Sequence, residues 1–185
     1  MTTDKFQIPV SDWTLVGIDN AKFVLLEAQT YAQYLSDVSS RITARAFSIL
    51  TVLVPITSAL IAYVVGQTMK DNPNYFITYY IVLIVIGLIA TMFFLGKTIM
   101  PRLFMPLGRK PIEICNDEML GVTLSKKLSL ISIVLNEIEN CQQKIDFNEL
   151  QNTSRNKMLN SCMKAIGILF AIAIIVIATY LSTAL

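Results

Sequence analysis

The sequence predicts an all-α integral membrane protein, with three transmembrane helices and a small cytosolic helical bundle. Three observations lead there. First, the apolar runs Ala46 to Gly66 and Tyr75 to Gly96 contain no charged residue, and a third run, Ala165 to Leu185, closes the chain. Second, 54% of the 185 residues are hydrophobic and only 15% are charged, with a mean hydropathy of +0.59. A soluble domain of this length could not bury that much apolar surface, so lipid must serve as its second solvent. Third, two stretches outside the runs repeat apolar residues at alternating spacings of three and four, as packed helices do.

Met1 to Val10 is polar and lacks the apolar core of a signal peptide, so the spans are expected to direct their own insertion. Ser11 suits a cap for a helix starting near Asp12, with Gly17 weakening its first turns. From there Val24, Ala28, Tyr31, Leu35, Val38 and Ile42 form a seam, and Gln29, Gln33, Asp37 and Ser40 fall off it. No proline or glycine occurs from Ile18 to Val54, so this helix should run straight into the first span.

Ala46 to Gly66 has 21 residues, against the ~20 that cross the hydrocarbon core. Pro55 near its middle removes a backbone hydrogen bond and predicts a kink. Ser58, Ala62 and Gly66 follow at four-residue spacing, a small-residue face that admits close approach of another helix. Either the second span of the same molecule or a second copy could occupy it. The link Gln67 to Asn74 contains the turn Asp71-Asn72-Pro73-Asn74, and so short a link makes an antiparallel hairpin. Tyr75, Phe76, Tyr79 and Tyr80 come next, where aromatic rings favour the membrane interface.

After the second span, Pro101, Pro106 and Pro111 forbid a long helix, so Lys97 to Glu113 reads as irregular juxtamembrane chain. Its cations Arg102, Arg109 and Lys110 anchor the end of the span and are the candidates for contacting a ligand phosphate. A second seam follows: Leu124, Leu128, Ile131, Leu135, Ile138 and Ile145, with Gln142 at its one polar position. Asp146, with Glu149 three residues on and Ile145 and Leu150 as a staple, predicts a fresh helix start. The last span, Ala165 to Leu185, carries small residues at Gly167, Ala171, Ala178 and Ser182.

Lys and Arg near the span ends set the orientation. Lys22, Arg41 and Arg45 precede the first span, Lys70 alone marks the hairpin link, and none follows the third span. Between the second and third spans there are ten: Lys97, Arg102, Arg109, Lys110, Lys126, Lys127, Lys144, Arg155, Lys157 and Lys164. The N-terminus is therefore expected in the cytosol, the hairpin tip and C-terminus outside, and the middle in the cytosol beside the first seam. Cys115, Cys141 and Cys162 then lie on the reducing side and should stay unpaired. On that side the sequon Asn152-Thr153-Ser154 has no meaning as a glycan acceptor. The expected layout is a cytosolic amphipathic helix (1–45), a transmembrane hairpin (46–96), a cytosolic segment with helices (97–164) and a third transmembrane helix (165–185).

No enzyme is expected. Histidine is absent, which removes the commonest general base and metal ligand, and there is no glycine-rich phosphate loop. The pairs Asp117-Glu118 and Glu137-Glu139 read as solvated helix surface. The spans carry no Asp, Glu, Lys or Arg, which argues against a coupled transporter. A net charge of +2 gives no ground for a nucleic-acid partner, and no cofactor or metal is called for.

One family shares this layout. A helix entering Ile42-Thr43-Ala44-Arg45-Ala46-Phe47-Ser48-Ile49-Leu50, a two-span hairpin, a cytosolic helical section and a closing span resemble the small transmembrane effectors of bacterial antiphage cyclic-nucleotide signalling. These are the Pycsar transmembrane effectors and the related SLATT-like and CBASS-type proteins. Arg45-Ala46 and Ser48-Ile49-Leu50 fit the family pattern, and Thr43 stands near where that pattern has an acid. The resemblance implies a homo-oligomer of the bacterial inner membrane, switched by a cyclic nucleotide through its cytosolic helices to impair membrane integrity. The rival expectation is a passive anchor or scaffold whose cytosolic helices bind a partner protein. A phage holin fits less well, because the 68 residues between the second and third spans would lack a purpose.

Overall fold

The computed structural model describes residues 16–71, 74–100, 105 and 126–184. Among them are three α-helices and no strand: α1 (Ile18–Thr68), α2 (Tyr75–Ile99) and α3 (Lys126–Ala184). All three are long and apolar enough to cross a membrane, and together they fit a multi-pass membrane protein. The Ser11 cap, Pro106, Pro111, Leu124, Cys115 and the Asp117-Glu118 pair lie outside the described residues, as does the side chain of Leu128.

α1 runs from the first seam into the first span, as the absence of proline and glycine from Ile18 to Val54 predicts, and it continues past Pro55 to Thr68. Asp19 in its first turn complements the helix dipole. Asn74 caps α2, its Oδ1 accepting from the Ile77 amide at 3.3 Å. Hydroxyls inside the apolar runs satisfy themselves locally. Thr57 donates to the Leu53 carbonyl, Thr91 to Gly87 and Thr98 to Phe94, so these three hydroxyls are paired within their own helices.

α3 corrects one expectation. It does not restart at Asp146 but runs unbroken for 59 residues. The Asp146 carboxylate accepts from Gln142 Nε2 at 2.8 Å, a pair one turn apart, instead of capping. Asp-x-x-Glu suits a helix interior as well as a start. Here the buried stripe passes Ile145, Asn148 and Asn152 without a break in phase, so packing keeps the helix going.

The chain divides into two compact units, Met1–Ser39 with Arg102–Asn152, and Ser40–Pro101 with Thr153–Leu185. In the first unit the two predicted seams meet. Ala21 packs with Ile131, Val134, Leu135 and Ile138, and Ala32 and Leu35 pack with Cys141 and Ile145. Residue numbers rise together along both helices, so α1 and α3 are parallel there. The α1 seam is displaced by one residue at alternate rungs. Leu35 and Ile42 are buried as predicted, but Val24 and Tyr31 are exposed while Ala32 is buried and Leu25 partly buried. Both registers keep the three–four spacing. The alanines at 21, 28 and 32 let the backbones approach more closely than the Tyr31 ring would, and that ring sits beside Tyr34 on the outer face, centroids 6.0 Å apart.

In the second unit α2 buries Val85, Leu88, Thr91, Leu95 and Thr98. Its Gly87 lies against Leu169 of α3 and its Thr98 meets Arg155, so these two helices are antiparallel. Most apolar side chains point outward. Only 11%, 22% and 6% of the most apolar windows of α1, α2 and α3 are buried within one chain. A face this apolar and this uncovered needs lipid or another apolar surface.

Candidate functional site

Polar residues interrupt the α3 seam at three successive positions, Asn148, Asn152 and Arg155. Their residue exposures are 1%, 5% and 6%. Continuing the heptad from Ile131, Ile138 and Ile145 lands on Asn152, and from Val134 and Cys141 on Asn148 and Arg155. Burying such groups is costly unless each finds partners.

The two asparagines belong to the first unit. Asn148 grips the backbone of Met105: the Met105 amide donates to Oδ1 at 3.1 Å, and Nδ2 donates to the Met105 carbonyl at 3.2 Å. Asn152 Nδ2 donates to the Leu35 carbonyl of α1 at 2.8 Å. Its Oδ1 is buried without a hydrogen-bond partner.

Arg155 belongs to the second unit. Nε donates to the Thr98 carbonyl at 3.1 Å and Nη2 to the same oxygen at 2.9 Å. Nη2 also donates to Thr43 Oγ1. Thr98 lies in the last turn of α2, where carbonyls have no donor further along the helix. The neighbouring Gly96 carbonyl is closed by the Met100 amide at 3.0 Å. Arg155 thus caps α2 from α3 and ties in α1, placing a cation at the negative end of the α2 dipole. One side chain clasps three helices.

No protein-family model, curated protein or solved structure is similar to this chain.

The predicted phosphate contacts Arg102, Arg109 and Lys110 lie outside the described residues. Pro55, Ser58, Ala62 and Gly66 are all exposed on α1, and nothing lies within 4 Å of a Cβ placed on Gly66. The second span of the same chain therefore leaves Gly66 uncovered. Close approach is made instead at Gly87, where a Cβ would stand 2.8 Å from Leu169 Cδ2. Tyr75, Phe76 and Tyr79 are exposed at the start of α2, as an interfacial belt requires. At its other end Lys97 reaches over Phe93, Nζ 4.7 Å from the ring centroid, a cation held by its own aromatic neighbour.

Cys141 and Cys162 are free and buried. Burial pushes the Cys141 thiol pKa up, with nearby Lys144 opposing and Glu137 adding to the rise. An open surface depression of about 550 Å³ is lined by the exposed residues Gln29, Thr30, Gln33, Tyr34 and Asp37, with a carboxylate and no cation among them, which does not suit a phosphate. Among the described residues no cluster of three or more His, Cys, Asp or Glu could hold a metal ion.

Proposed function

We propose that the chain is a homo-oligomeric effector of the bacterial inner membrane, serving antiphage defence. Its N-terminus and the segment between the second and third spans face the cytosol, and its C-terminus faces the periplasm. A cyclic nucleotide acting on the cytosolic helices switches the spans from a closed to a membrane-impairing arrangement. Arg102, Arg109 and Lys110 are the cations offered to the nucleotide phosphate.

The observation that carries this reading is helix continuity. α1 and α3 each contribute to both compact units without a break. In this reading a rotation or shift imposed on either helix outside the membrane is passed along that same helix to a span. The uncovered apolar faces of the spans supply surface for further copies.

Controlled expression with a membrane-potential dye tests it. Depolarisation is expected when a panel of cyclic nucleotides is supplied or when the chain is forced to oligomerise. An intact potential under both conditions removes the effector reading. Recovery of one cytosolic protein whose binding depends on residues 18–39 would then favour the scaffold.

A further inference from the structure

A buried guanidinium cannot shed its proton, so it persists only where acceptors meet it. The acceptor that takes two of the described hydrogen bonds of Arg155 is the carbonyl of Thr98, a residue with 0% exposure in the last turn of α2. Each group depends on the other. If α2 moves away, a desolvated cation loses the acceptor of two of its hydrogen bonds; if Arg155 withdraws, a desolvated carbonyl loses two donors. Thr43 of α1 shares Nη2, so the first helix is held by the same group. Partial separation stretches hydrogen bonds that both buried groups need, so intermediate positions are disfavoured.

We propose that Arg155 is a latch, which holds the end of α2 against α3 and α1 and must be released before the three spans can rearrange. It is a positioning residue and touches no ligand. The latch rests on the effector reading only for what its release does to a membrane; the latch itself is a matter of distances within one chain.

The test uses the full chain in lipid nanodiscs, with Cys115→Ser, Cys141→Ala and Cys162→Ala, and spin labels at positions 100 and 157. The parent chain is expected to give one short distance. Arg155→Met is expected to add a longer one as the major population, and Thr43→Val as a minor one. Arg155→Lys, which keeps the charge but loses the forked donor, is expected to fall between them. Loss of one charge-assisted hydrogen bond corresponds to a roughly ten- to hundredfold rise in the released fraction. Should Arg155→Met fail to fold, Thr43→Val and Arg155→Lys carry the same measurement. Unchanged distances in every variant that folds would overturn the latch.

Dye release from vesicles containing the same variants separates the two ideas. Longer distances with tight vesicles uphold the latch and sink the effector reading. Unchanged distances in variants of a chain that leaks when triggered sink the latch and leave the effector reading standing.

Discussion

Arg155 Nε and Nη2 converge on one carbonyl oxygen, that of Thr98, at 3.1 and 2.9 Å. Removing the guanidinium leaves that buried oxygen without its donor, a loss of about 1–3 kcal/mol. Arg155→Met should therefore lower the thermal midpoint in detergent, followed by far-ultraviolet circular dichroism. Arg155→Lys should recover part of the loss. An unshifted midpoint for Arg155→Met would mean that the Thr98 carbonyl finds another donor at no cost.

Asn152 behaves differently because its partner does not need it. The Leu35 carbonyl sits inside α1, where the helix already supplies a donor, and Asn152 Oδ1 has no partner among the described residues. Asn152→Leu should be neutral or stabilising by up to ~1 kcal/mol, since it removes a buried unsatisfied acceptor. Asn152→Asp should cost ~3 kcal/mol or more, because a buried carboxylate would face the Leu35 carbonyl. Comparing the two midpoints checks this, and a destabilised leucine variant would point to a buried water on Oδ1.

The two glycines offer a contrast. Gly87→Ile must displace Leu169, which already stands 2.8 Å from a Cβ at that position, and should unfold or loosen the α2–α3 contact. A Cβ at Gly66 has nothing within 4 Å, so Gly66→Ile should leave the fold of one chain intact. If copies associate through the face of Ser58, Ala62 and Gly66, the same substitution will dissociate them. Cross-linking in native membranes reads the oligomer, and thermal melting reads the fold.

Cys141 should resist alkylation at neutral pH, because it is 4% exposed and burial raises its thiol pKa. The sign for stability follows. The folded state favours the neutral thiol, so this contribution is complete below the ordinary thiol pKa and is lost as pH rises through the raised value. Mass spectrometry of iodoacetamide labelling should show Cys141 protected in the folded chain and reactive after denaturation. Equal rates in both states would refute the burial argument.

Several features are written locally and need no tertiary information. Uncharged runs of 21 residues announce spans at 46–66 and 165–185, because length and polarity alone decide whether a helix can live in lipid. Leu35, Ile138 and Ile145 are legible as seam residues for a similar reason: the three–four spacing puts them on one side of any helix they form. The register is less legible. Tyr31 and Ala32 are both acceptable at a seam, and the space left by α3 chose the smaller.

The polar rungs were harder still to read. Asn148, Asn152 and Arg155 look like ordinary helix surface when taken one at a time, and Arg155 enters the sequence reading only as one of the ten cations that set the orientation. The uninterrupted phase of α3 places them on its buried side. Had Asp146 begun a new helix, the phase would have been reset and the same three residues could have faced water. Sequence alone therefore determines that this chain has three helices fit for a bilayer, since that property belongs to each segment separately. The tertiary structure decides which polar groups are enclosed, because the acceptors of Arg155 lie 57 and 112 residues away in the chain.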